Sequence, residues 1–179
     1  MEQVRYGAGS PEAREIVRQV QRAIACTERL NRIPYHDVAA IRAMWFELTG
    51  RQVDETFNLI PPVFSEQGLN IRVGRDVFIN QGCTFLDQAG IRIGERVMIG
   101  PKVTFITGGH PVDPVERRQY LTGAPIDVAE NVWIGAGATV LPGVSIGRDA
   151  VIAAGAVVAD DVPAASLVTG PKATVRRRW

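Results

Sequence analysis

The sequence predicts a mainly β protein wound as a parallel β-helix, preceded by an α-helical segment and broken once by a long protruding loop. Three observations carry this. An apolar residue recurs every six positions along most of the chain. Four residues after most of these stands a second apolar or small residue. One stretch, Thr107-Gly108-Gly109-His110-Pro111-Val112-Asp113, interrupts the pattern, which later resumes on the same step.

In chain order, Ser10-Pro11-Glu12 offers a capping hydroxyl, a proline at the first helical position and an acid, the signature of a helix start. Ile16, Val17, Val20 and Ile24 follow at helical spacing, so a helix is expected to about Asn31, with its stripe packed on the rest of the chain. Pro34 ends it. Asp37 caps a second helix with Val38, Ile41, Trp45 and Leu48 on one face and Gly50 as its stop. Residues 1–60 therefore form a helical segment, running into Pro61-Pro62.

From Ile71 the period becomes six. Val73, Ile79 and Phe85 are one run; after a two-residue slip come Ile93, Ile99 and Phe105; beyond the loop come Val128, Ile134, Val140, Ile146, Ile152 and Val158. Neither a 3.6-residue helical period nor strict alternation produces this. A six-residue unit makes one short strand and one turn, several units close a coil, and the apolar residue stacks inward on its equivalents. A β-sandwich with regular turns does not keep twelve such units in register. The coil is expected over residues 61–170, with the loop 107–125 inserted and a basic tail at 171–179.

The 179 residues suffice for one domain, and 46% apolar composition supplies a core. A net charge of +1 argues against nucleic acid or an acidic membrane surface. Cys26 and Cys83 fit no metal or redox spacing and read as buried thiols of a reducing compartment. No stretch is apolar and long enough to span a membrane, and the N-terminus has no signal-peptide core, so a cytoplasmic protein is expected.

His110 sits where the repeat breaks, among glycines and beside a proline. Together with the repeats and the N-terminal helices, Gly109-His110-Pro111-Val112, Asn131-Val132-Trp133-Ile134-Gly135 and Pro142-Gly143-Val144-Ser145-Ile146-Gly147 resemble the hexapeptide acyltransferases, most closely the maltose and galactoside O-acetyltransferase group. The resemblance covers roughly residues 30–178. It implies that the coil is left-handed. It also implies a homotrimer with active sites between subunits, acetyl-CoA as co-substrate, no metal, and a sugar or other small hydroxyl compound as acceptor.

Residue by residue, the resemblance makes His110 the general base and Asn80 an amide near the reacting centre. Asp87, seven residues after Asn80, matches the acid that binds acceptor hydroxyls. Trp133 matches an aromatic beside the cofactor arm. Ala136, Ala154 and Gly155 match the small residues that let the pantetheine chain approach the backbone. Lys172 and Arg177, with Arg176 and Arg178, offer charge for the nucleotide phosphates. No Ser or Cys stands in a nucleophile motif, so the acceptor oxygen is expected to attack the thioester directly.

The chain also departs from the group. Ala159-Asp160 stands where many relatives have Thr-Lys, Gly82 replaces the second Asn of an Asn-x-Asn pair, and no acid precedes the first helix at the matching place. Two other functions are weighed against acetyl transfer. A zinc enzyme of the carbonic anhydrase kind needs about three His ligands, and this chain has only His36 and His110. His36, at a helix start, reads as structural. A non-catalytic scaffold would keep the coil without the His110 and Asn80 pair.

Overall fold

A computed structural model describes residues 4–170 of the chain. A strand, β1 (Val4–Gly7), leads into two helices, α1 (Pro11–Leu30) and α2 (Val38–Thr49). Both caps expected from the sequence are made. Ser10 Oγ accepts the Ala13 N–H at 3.2 Å and Asp37 Oδ1 accepts the Ala40 N–H at 3.1 Å. Gly50 closes α2 at φ 69°, a left-handed conformation that glycine adopts without strain.

The coil then winds turn by turn. The first turn is β2 (Asn58–Leu59), β3 (Val63–Ser65) and β4 (Ile71–Val73); the second is β5 (Phe78–Ile79), β6 (Cys83–Leu86) and β7 (Ile91–Ile93). The third is β8 (Met98–Ile99) and β9 (Thr104–Ile106), then a loop holding β10 (Gly108–Gly109) and β11 (Tyr120–Gly123), then β12 (Ile126–Val128). The fourth is β13 (Trp133–Ile134), β14 (Thr139–Val140) and β15 (Ser145–Ile146). The last strands are β16 (Val151–Ile152), β17 (Val157–Val158) and β18 (Leu167–Val168). Equivalent strands stack in parallel into three sheets, ordered β15-β12-β7-β4, β18-β16-β13-β8-β5-β2 and β17-β14-β9-β6-β3. The coil thus opens at Asn58, inside the segment assigned to helix from the sequence. Between Leu59 and Val73 its first turn buries the apolar residues Val63 and Ile71, eight positions apart, so the six-residue step is hidden there.

The stacking matches the repeat: Ile79, Phe85, Ile93, Ile99, Phe105, Val128, Ile134 and their successors are all buried. The two-residue slip between Phe85 and Ile93 is a wider corner. There Asp87 takes the inward position two residues after Phe85 and is buried, as is Ile91, while Ala89 is only partly so.

The helices cover the first turn. Trp45 of α2 is fully buried against Phe57 (ring centroids 5.2 Å apart) and Phe85 (6.1 Å), and Phe85 stacks on Phe105 at 5.2 Å. Asn31, just past α1, uses its amide as a strand would: Nδ2 donates to Val63 O at 2.9 Å and Oδ1 accepts Val63 N–H at 2.8 Å. Arg22 donates to Leu48 O and Gln67 O, and Arg42 to Phe57 O. An open β edge is thereby satisfied by side chains. The expected stripe on α1 is corrected. The face that packs is Ala23, Cys26, Thr27 and Leu30; Val17 lies in the half of the helix before that face begins, and Ile24 lies beside it, so both stay half-exposed.

Candidate functional site

One groove runs along the six-stranded sheet. It has a volume of about 640 Å³ and is lined by Phe78, Asn80, Met98, Trp133, Ala136 and Ala154, among others. Its floor is low because glycines carry the corner between coils. A Cβ on Gly135 would lie 2.6 Å from Ala154 N, and one on Gly100 would lie 2.8 Å from Ala136 N. Its wall is apolar: Trp133 is 53% exposed, Met98 51% and Leu167 66%, so much oily surface waits for a cover. Gly155 stands next to Ala154 at φ 69°, its N–H donates to Ala136 O at 2.9 Å, and its Cβ direction opens into empty space. Asn80 accepts the Gln81 N–H on its side-chain oxygen at 2.8 Å, which leaves its amide N–H₂ as the group able to donate.

Of the residues expected at the site, this groove gathers Asn80, Trp133, Ala136 and Ala154. Lys172 and Arg177 lie outside the described residues. His110 stands elsewhere, exposed, directly after β10 on the loop that leaves the third turn. Its Nδ1 is 3.0 Å from the carbonyl oxygen of Arg117. A carbonyl can only accept, so Nδ1 carries the proton in the neutral ring and Nε2 presents a lone pair. The loop supports that carbonyl by its own bonds: Arg117 N–H to Asp113 O at 3.0 Å, Arg117 Nη2 to Val112 O at 2.8 Å, and Val115 N–H to Asp113 Oδ1 at 2.7 Å.

Asp87, expected to bind acceptor hydroxyls, does not line the groove. It is fully buried. Oδ1 accepts from Ser65 Oγ (3.0 Å), Gln67 N–H (2.9 Å) and Gly68 N–H (3.1 Å), and Oδ2 accepts from Asn70 N–H (3.2 Å). Within one chain its carboxylate builds the wide corner. Around it are groups the sequence did not single out: Glu66 Oε2, Gln67 Nε2 and Gln88 Nε2 are shielded from solvent without a hydrogen-bond partner. Gln67 and Gln88 line a second cavity, of about 450 Å³, against Tyr6 and the first turns of α1. Burial, and then the charge of Asp87, push the Glu66 carboxyl above its ordinary value. The signal for this corner was the two-residue slip itself, and the first turn has the same spacing between Ser65 and Val73.

Cys26 and Cys83 are free and buried, and burial pushes Cys83 up to about 11, far from a nucleophilic thiolate. No group of three or more potential metal ligands occurs among the described residues, and no described helix is long and apolar enough to cross a membrane.

Comparison with known proteins bears on the fold and on the groove. Residues 125–160 match the family model described as bacterial transferase hexapeptide (six repeats). The galactoside O-acetyltransferase of Lactococcus lactis subsp. lactis is 32% identical over 174 residues, covering 94% of this chain and 82% of that protein. The crystal structure of a maltose O-acetyltransferase from Clostridium difficile 630 superposes with a TM-score of 0.85 at 31% identity, covering 93% of this chain and 87% of that one. A hexapeptide-repeat acetyltransferase of Vibrio cholerae O1 biovar eltor, complexed with acetyl coenzyme A, gives 0.81 at 34% identity and covers 96% and 91%. Two other curated relatives are matched over only 58% of their length. The fold shared with the solved neighbours is a left-handed parallel β-helix, as the resemblance implied.

Proposed function

The chain belongs to the hexapeptide-repeat acyltransferases, in the galactoside and maltose O-acetyltransferase group, and from that premise we propose that it transfers acetyl from acetyl-CoA to a hydroxyl of a sugar or similar small acceptor. The observation that carries the reading is the His110 ring, held with Nδ1 against the Arg117 carbonyl so that Nε2 is free to take a proton. The groove suits the co-substrate. Its glycine corners and Ala136, Ala154 and Gly155 let a slender chain reach the backbone, and Trp133, Met98 and Leu167 give it an apolar wall. Lys172 and Arg177 are proposed to meet its phosphates.

In the proposed reaction the acceptor hydroxyl gives its proton to His110 Nε2 as its oxygen attacks the thioester carbonyl. The Asn80 amide donates to the oxyanion that forms. As the carbon–sulfur bond breaks, His110 returns the proton to the departing thiolate. No acyl-enzyme is required, in keeping with the inert thiols. Asp87 is proposed to serve the acceptor through the corner it fixes, which sets Gln67, Asn70 and Gln88 along the cavity beside α1.

The groove with Asn80 and the loop with His110 belong to different parts of one chain, and His110 does not line that groove. This supports a homotrimer in which one subunit's His110 meets its neighbour's Asn80. The two buried free thiols suit a cytoplasmic setting.

With acetyl-CoA and a panel of sugars, the protein should release free thiol, and His110→Ala should slow release by roughly 10²–10⁴-fold. Release unaffected by that substitution would remove His110 as the base. Absence of any acetyl-CoA binding by calorimetry would remove the reaction.

A further inference from the structure

The loop that carries His110 does not stand alone. Its strands β10 and β11 belong to a small antiparallel sheet ordered β1-β11-β10. β10 pairs with β11 through Gly108↔Gly123 and Gly109↔Thr122, and His110 follows at once. β11 pairs on its other edge with β1, Val4 opposite Gly123 through Gly7 opposite Tyr120. The Ala8 N–H continues this ladder to Gln119 O at 2.6 Å. Arg5 of β1 does two further things. Its guanidinium lies 3.9 Å from the centre of the Tyr120 ring and forms an ion pair with Glu116 at 2.7 Å.

Every one of these contacts lands on the stretch that ends the loop. Glu116 O accepts from Gln119 N–H and Tyr120 N–H, and Arg117, next in chain, provides the carbonyl for His110 Nδ1. We propose that β1 is the positioning element of the base, with Arg5 as its positioning residue. Through Glu116, Tyr120 and Gln119 it holds the Arg117 carbonyl where it selects the Nδ1–H tautomer and fixes the ring plane. This rests on His110 acting as base. It adds that the neutral ring is competent only while the N-terminal strand is docked. An imidazole released from that carbonyl favours the opposite tautomer, with the proton on Nε2 and no lone pair toward the acceptor.

The test reads the tautomer directly. His36 is exposed and outside this sheet, so His36→Gln gives a background in which His110 is the only imidazole. Long-range ¹H–¹⁵N correlation of the ¹⁵N-labelled full chain should show Nδ1 protonated. In Arg5→Ala the signal should move toward the Nε2–H form and kcat should fall several-fold, with KM for acetyl-CoA unchanged. Arg5→Lys, which keeps a cation for Glu116 and Tyr120, should restore most of both. Ala8→Pro, which deletes the N–H to Gln119, should act more strongly than Ala8→Ser. If Ala8→Pro does not fold, the exposed pair Arg5 and Glu116 (through Glu116→Gln) decides the matter. A wild-type tautomer and kcat in folded Arg5→Ala and Glu116→Gln overturn the proposal. A tautomer that responds while His110→Ala keeps full activity overturns the base, and leaves the strand's effect on the ring standing.

Discussion

His110 and Asp87 are both polar residues at breaks in an apolar period, and their surroundings give them opposite tasks. His110 is exposed and meets one carbonyl, so its proton is placed and its other nitrogen is free. Asp87 is buried, and four donors surround it, so its charge is compensated and its oxygens are occupied. Glu66, beside it, is less well served. Its carboxyl is raised by burial and by the Asp87 charge, against one backbone N–H from Gln88 that lowers it. An acid with a raised folded value holds its proton longer in the native state than in the unfolded one. Stability therefore falls as pH climbs from the ordinary carboxyl value of 4.5 to the raised one, and is level above it. Glu66→Gln keeps an oxygen for Gln88 and removes the titration. Thermal melts should show the variant gaining on wild type across that window, with a constant lead beyond it. A lead that does not change with pH would mean that burial of Glu66 carries no charge cost.

At the scale of elements, the coil was legible because its signal is periodic and repeated. Ile79, Phe85, Ile99 and Phe105 each report the same inward position, so no single residue had to be read correctly. The two helices were legible through chemistry at their ends, with Ser10, Asp37 and Gly50 each satisfying orphan backbone groups. What could not be read were contacts set by distance in space. β1 pairs with a strand far along the chain, and nothing in Val4-Arg5-Tyr6-Gly7 names that partner. Asn31 looked like the frayed end of a helix, yet it completes the hydrogen bonding of β3. Asn31→Ala would leave the Val63 N–H and C=O without partners under α1. The expected loss is about 1–3 kcal/mol, measured by denaturant unfolding, with Asn31→Asp recovering only the acceptor half. A variant as stable as wild type would show that water replaces the amide at that edge.

For the whole molecule, the question is how a groove on one sheet and a loop leaving another become one site. If His110 of one subunit works with Asn80 of the next, two inactive variants can repair each other. His110→Ala and Asn80→Ala chains, co-expressed and purified together, would form mixed rings in which some clefts draw His110 from one chain and Asn80 from the other. Random assembly gives about a quarter of clefts both intact residues, so thiol release should return to about that fraction of wild type. Each variant alone should stay near its own floor. Mixed preparations that remain at the floor would place both residues in the same subunit's site, and a monomer in light scattering would end the trimer reading. Asn80, Trp133, Ala136 and Ala154 were read from the sequence only because they match a known pattern. Their meeting in one groove follows from the coil, which stacks positions a turn apart onto one face.

The side chains that close the first turn also set a direction for assembly. In a coil each turn is templated by the one before it, and a chain emerges from the ribosome from its N-terminal end. The helices and Asn31 are made first, so a finished template exists before β4 is synthesised, and growth can proceed turn upon turn behind the emerging chain. β1 must wait. Its partner β11 arrives only after the third turn has begun, so the strand held against the loop is the last part of the N-terminal region to settle. A nascent chain stalled before Tyr120 would have its first turns to stack but no β11 for β1 to pair with, so the docking of β1 marks how far construction has gone.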